Sequence, residues 1–195
     1  SKSDFSSFLY HAKNYVSADI FSKGLIFLSI PILSRFLLPE EYGILAIVDS
    51  FLMISTIIFG LGIRGAINRY FHEKTNDFNK FISSNLIFIS LWSLLGSLFL
   101  FYSVPHLSYF LDINHKVFYL CICIPFFNVI FEIYQAYLQA SKRSKLLAII
   151  KIIKSISFVF LMILIVIYLN DNKYYGQIIA QLIIGGFLCF YSIWS

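Results

Sequence analysis

Long apolar runs separated by short polar interruptions set the pattern of this chain. Residues 15–38 and 42–63 are two such runs, joined by Leu38-Pro39-Glu40-Glu41-Tyr42-Gly43. Each is close to the ~20 residues that carry a helix across a bilayer core. Proline cannot continue a helix but suits the first turn of one, so Pro39 closes the first run and opens the second. Glu40 and Glu41 then sit where the positive end of the second helix dipole favours a carboxylate. Two antiparallel membrane helices follow from that turn. Four further runs lie at about 81–103, 117–140, 146–169 and 175–194. Between them come a polar connection at 64–80, a short loop at 106–116 after Pro105, the cluster Lys142-Arg143-Ser144-Lys145, and the turn Asn170-Asp171-Asn172-Lys173. Residues 1–14 are mixed, with Phe5, Phe8 and Leu9 on a short amphipathic lead-in at the interface. The pattern predicts an all-α integral membrane protein, a bundle of six transmembrane helices.

Composition sharpens this picture. The 195 residues are 59% hydrophobic and only 13% charged, with a mean hydropathy of +0.80. A water-soluble domain of this size has too little polar surface to cover so much apolar material. The net charge of +5 is therefore read against the membrane and not as a nucleic-acid signal. If residue 1 starts in the cytoplasm, the inside segments hold Lys2, Lys13, Arg64, Arg69, Lys74, Lys80, Lys142, Arg143 and Lys145. The outside loops hold only Lys116 and Lys173, with Arg35 just inside the membrane edge. That bias predicts both ends of the segment on the cytoplasmic side. Cys121, Cys123 and Cys189 all fall inside apolar runs, which gives neither a disulfide framework nor a metal-ligand spacing. No signal peptide is evident. A chain that begins without Met and stops as an apolar run finishes reads as one lobe cut from a longer protein.

Polar side chains inside the runs carry the candidate chemistry, because charges at membrane depth face a protein interior or a wet cavity. Helical spacing places Asp19, Ser22, Lys23, Ser29 and Ser34 on one side of the first helix, with Asp19 and Lys23 spaced as an intrahelical pair. The second helix aligns Asp49, Thr56, Gly60 and Arg64, and the third Ser83, Ser90 and Ser97. The cleanest stripe is in the fourth: Asn128, Glu132, Gln135 and Gln139. The fifth groups Lys151, Lys154 and Ser155, and the sixth Gln177, Gln181 and Gly185. Lys23, Arg64, Lys151 and Lys154 all fall toward the cytoplasmic half, a cationic cavity for an anionic headgroup. Glu132 and Asp19 would neutralise that site when empty or take up a coupling proton. Asp49 and Arg35 reach the same outer depth on successive antiparallel helices, as a gate or a structural pair. Each group also has a plain reading. Lys151 and Lys154 can snorkel to headgroups, and serines and glycines commonly serve helix packing. His72 and Asp77 match a His-x4-Asp acyltransferase pattern, but no acyl-binding domain surrounds them, and the match reads as chance.

Arg35-Phe-Leu-Leu-Pro-Glu-Glu-Tyr-Gly43 followed by Gly60-Leu-Gly-Ile-Arg-Gly-Ala-Ile-Asn-Arg-Tyr70 resembles the opening of polysaccharide biosynthesis flippases. These are the O-antigen and capsule repeat-unit translocases of the multidrug/oligosaccharidyl-lipid/polysaccharide superfamily. Leu38 stands where many members have Gly. The resemblance implies the amino-terminal six-helix lobe of a two-lobe fold, with the carboxy-terminal lobe missing. It implies translocation of undecaprenyl-diphosphate-linked oligosaccharide from inner to outer leaflet by alternating access through a cationic cavity. It also implies residence in the bacterial cytoplasmic membrane, and partners that include a polysaccharide polymerase and a chain-length regulator. No cofactor is expected beyond a coupling proton or sodium ion, no catalytic residue and no metal. A cation-coupled multidrug exporter of the same fold remains open, as does, more remotely, a membrane-embedded polysaccharide polymerase or acyltransferase.

Overall fold

The computed structural model describes residues 2–72 and 78–194, with side-chain surroundings for 13–71 and 80–194. The described residues form eight α-helices: α1 (Lys2–Leu33), α2 (Pro39–Gly60), α3 (Ile63–His72), α4 (Phe78–Leu111), α5 (His115–Cys121), α6 (Cys123–Ala140), α7 (Ser144–Tyr168) and α8 (Tyr175–Trp194). Six stretches are long and apolar enough to cross a membrane, α5 and α6 together counting as one. Phe99, Phe160 and Phe187 are 71%, 67% and 71% exposed in the middle of their helices. Only a hydrocarbon solvent suits such a surface.

The helix ends have local causes. Pro39 is the first residue of α2, and the Glu41 carboxylate accepts from the Leu38 N–H at 3.0 Å, which satisfies a donor the new helix leaves open. α1 stops at Leu33, earlier than the apolar run does, and residues 34–37 close the corner through Ser34, Arg35 and Phe36 amides bonded back to α1 carbonyls. α2 stops at Gly60 because Leu61 (φ 46°) and Gly62 (φ 69°) turn left-handed. The expected polar connection at 64–80 is corrected in part: α3 occupies its first half, with Ile67 fully buried. Pro105 does not end its helix. α4 runs through it to Leu111, since one lost backbone bond is tolerable in a membrane helix, and the loop expected at 106–116 shrinks to residues 112–114. Pro125 instead marks a break. It lacks the N–H that would bond the Cys121 carbonyl, and the backbone is interrupted at Ile122 between α5 and α6.

α6 is the central post of the α5–α6 span, which is 61% buried where the other spans are 17–33% buried. It packs on α2, α3, α4, α7 and α8. The expected hairpin is corrected in one respect. α1 and α2 touch near their corner, where the Tyr42 hydroxyl donates to the Ile30 carbonyl at 3.2 Å, but below it α1 packs along α7. A polar seam explains that choice. Asn14 Nδ2 donates to Ser144 Oγ at 3.1 Å, Ser22 Oγ lies 3.5 Å from the Lys151 carbonyl, and Lys151 Nζ meets Asp19 Oδ1 at 2.7 Å. The bundle thus has a distal end, carrying the corners at 34–38, 112–114 and 169–174, and a proximal end, carrying the α2–α3 corner at 61–62 and the 141–143 connection.

Candidate functional site

Where α1 parts from α2, a cavity of about 550 Å³ opens between α1, α2, α6, α7 and α8. Its polar wall comes from α2 through Asp49 and Thr56, from α6 through Asn128, Glu132 and Gln135, from α7 through Lys154, and from α8 through Gln181. The stripe on α6 arises because its other faces are committed to packing. Val129, Ile130, Phe131, Ile133, Tyr134 and Ala136 are buried, while Asn128, Glu132 and Gln135 are only half-buried. An apolar wall completes the space. Ile26 of α1 and Met53 and Ile57 of α2 line it, and all three are exposed, so the cavity opens sideways between these two helices.

Two polar clusters stand in this space. Midway along α2, Asp49 accepts from Gln177 Nε2 at 3.1 and 3.0 Å and from Gln181 Nε2 at 3.3 Å. Toward the proximal end Lys154 lies with its ammonium 4.5 Å from the centre of the Phe131 ring, a cation–π contact. Glu132 is within electrostatic reach of both Lys154 and Arg64. The wall therefore offers two carboxylates, one ammonium and several amides, which can neutralise one another or receive an ionic ligand.

Of the residues expected to form the cationic cavity, Lys154 alone lines it. Lys151 is turned to Asp19, Lys23 is exposed on α1, and Arg64 Nη2 donates to Gln139 Oε1 at 3.3 Å, at the proximal end. The expected four-residue cluster is not assembled within this chain: α1 packs on α7 and Asp19 takes Lys151, Lys23 is left on the exposed side of α1, and the turn at Leu61–Gly62 carries Arg64 onto α3 beside Gln139. The Asp19–Lys23 pair is likewise replaced by Asp19–Lys151. Asp49 pairs with the two glutamines of α8 and not with Arg35, which is exposed in the α1–α2 corner. The sequence had no means of showing Phe131 and Phe158 as cavity wall, since aromatic residues crowd every helix. Gln177 was visible as one edge of α8, but its partner was not. Ser97 Oγ approaches the Ile122 carbonyl at 3.5 Å, so that part of the serine stripe meets the α5–α6 break and not the cavity. Asp77 lies outside the described residues, and so does the side chain of His72, which leaves the acyltransferase-like pattern there. The three cysteines are free, and among the described residues no group of three or more His, Cys, Asp or Glu side chains could hold a metal ion.

A lipid-embedded helical bundle with a polar cavity in its middle defines a multi-pass membrane protein of transporter-like design. Its family follows from comparison: the polysaccharide biosynthesis protein family model matches residues 13–194, nearly the whole chain, and the chain belongs to that family. Membership supports a part in the synthesis or export of polysaccharide. No curated protein and no solved structure matches the chain.

Proposed function

We propose that this chain is the amino-terminal lobe of a flippase that carries undecaprenyl-diphosphate-linked oligosaccharide from the inner to the outer leaflet of the bacterial cytoplasmic membrane. The observation that carries this reading is the cavity itself. It draws charged and amide side chains from four membrane-spanning helices, opens sideways between α1 and α2, and holds Lys154 in its wall. Polar groups on such helices are costly unless a pathway uses them. A lateral opening suits a substrate whose polyprenyl tail stays in hydrocarbon while its diphosphate and sugars enter the wet interior. Lys154 would receive the diphosphate as a point charge. With the proximal end cytoplasmic, as the Lys and Arg bias predicts, the Lys154–Glu132 cluster lies on the entry side. Rocking of this lobe against a second one would then expose the headgroup to the other side. A polysaccharide polymerase and a chain-length regulator would act on the delivered product.

A second reading draws on the same wall. Asp49 and Glu132 outnumber Lys154, which favours a coupling cation, proton or sodium, in a cation-coupled exporter of this fold. The two readings separate in one experiment on the full-length protein in its host. Lys154→Ala is expected to lower surface polysaccharide at least tenfold with the protein still inserted at normal level, and Glu132→Gln to do the same. Unchanged surface polysaccharide in Lys154→Ala refutes the glycan reading. Lost drug resistance with intact polysaccharide selects the exporter.

A further inference from the structure

A second recess, of about 600 Å³, lies at the distal end between the α4–α5 turn and the α7–α8 turn. It shares no lining residue with the cavity described above. Its volume falls in the range of small-ligand sites, about 300–1,000 Å³. Asn114, Lys116, Tyr119, Asn172, Tyr174 and Tyr175 line it.

The two turns that frame it are held in fixed relation. Ile113 and Tyr174 are buried in one apolar cluster with Leu33, Leu37 and Val117. The Ser108 hydroxyl donates to the Ile113 carbonyl, and the Lys173 ammonium lies 5.7 Å from the centre of the Phe36 ring, which ties the α7–α8 turn to the α1–α2 corner. Asn114 Oδ1 accepts from the Lys116 N–H at 3.0 Å. The Asn114 amide nitrogen and the Asn172 carboxamide have no partner among the described residues. These contacts tie the frame together, and both asparagines are exposed.

Chemistry narrows the ligand. The lining holds two carboxamides, one ammonium, the Leu120 side chain and three tyrosines, of which Tyr174 is buried with its hydroxyl engaged by Tyr175, and it holds no carboxylate. A metal cation would find no carboxylate ligand among the lining residues, and an alkyl chain would leave both amides unpaired. A pyranose ring matches the set. Its C–H face lies well against an aromatic ring, and its hydroxyls both donate and accept, as a carboxamide does. Tyrosines at this depth also anchor a bundle in the headgroup layer, but anchoring requires neither the amides nor the recess between them.

The geometry points to a saccharide-binding subsite in this distal recess, with Tyr119 as the stacking surface and Asn114 and Asn172 as hydroxyl partners. It deepens the proposed glycan transport and rests on it for its role, which is to hold sugar rings on the far side of the membrane. The probe is the soluble oligosaccharide repeat released by mild acid from the host's own surface polysaccharide. Saturation-transfer NMR on the full-length protein in nanodiscs is expected to give ring-proton signals. Tyr119→Ala and Asn172→Gly are expected to weaken binding at least tenfold while thermal unfolding stays unchanged; glycine tolerates the positive φ of 52° at position 172. No transfer to the sugar with the unsubstituted protein, or transfer undiminished in both variants, overturns the subsite. The outcomes part from those of the transport reading. If Lys154→Ala abolishes export while the unsubstituted protein gives no transfer, the subsite fails and transport stands. If Lys154→Ala leaves export intact while the sugar still binds at Tyr119, the reading of Lys154 as the diphosphate site fails and the subsite stands.

Discussion

Gly176, in the first turn of α8, sits against Val166 of α7, and Gly176→Ala tests whether this contact positions the cavity wall. A Cβ at that position would lie 2.5 Å from Val166 Cγ2, 3.1 Å from the Val166 backbone nitrogen and 3.3 Å from its Cα. The first conflict can be relieved by a side-chain shift, but Val166 is buried and the other two involve the α7 backbone. The helices must therefore separate by some tenths of an ångström. Overpacking of this kind costs about 1–3 kcal/mol. Alanine's better helix propensity returns up to about 1 kcal/mol in a helix interior, and less in a first turn. A net loss of about 1–2 kcal/mol is expected, roughly a five- to thirtyfold change in the folding equilibrium. Gly24, where an added Cβ would meet no heavy atom within 4 Å, supplies the control, and Gly24→Ala is expected to be neutral or mildly stabilising. Thermal unfolding in detergent measures both. Because Gln177 follows directly and bonds Asp49, Gly176→Ala is also expected to reduce surface polysaccharide. Equal melting temperatures for Gly176→Ala and Gly24→Ala would refute the argument.

Two further predictions concern charges outside the cavity. The Asp19–Lys151 pair joins α1 to α7, and because the Asp19 side chain is 51% exposed, its coupling is expected to be about 0.5–1 kcal/mol. A double-mutant cycle with Asp19→Asn and Lys151→Gln measures it, and additivity within about 0.3 kcal/mol would show that the seam is held by packing alone. Tyr174, outside the membrane spans, has its phenol pushed up to about 12 by burial, with Tyr175 and Glu41 adding to the rise. Its folded-state value exceeds the unfolded one near 10, so the stability it contributes is complete below pH 10 and is lost as pH rises toward 12. Spectrophotometric titration is expected to lose a late-ionising component in Tyr174→Phe; a titration unaltered by that substitution would contradict the burial argument.

Much of the bundle was legible because lipid imposes one period and one length. Pro39 with Glu41 marked a helix start that the Leu38–Glu41 bond realises, and the last span coincides with α8. Proline alone was an ambiguous sign. Pro105 lies within a continuous helix, whereas Pro125 marks a break, and the difference depends on neighbours that supply or withhold backbone partners. α3 escaped notice because charges mask its apolar side, although Ile63, Ile67 and Tyr70 already follow helical spacing. In the cavity, the stripe on α6 was readable from spacing alone. Which cations would face it was not, since that depends on α1 choosing α7 over α2, and no periodicity within a helix encodes its choice of neighbour.

The parting of α1 from α2 gives the wall of this bundle a doorway as well as a chamber. A molecule half oily and half watery could slip in edgewise, tail trailing in the fat, and never expose either portion to the medium it avoids. The barrier to crossing would then be set less by the energy of dehydrating a headgroup than by how often the two posts of that doorway stand apart.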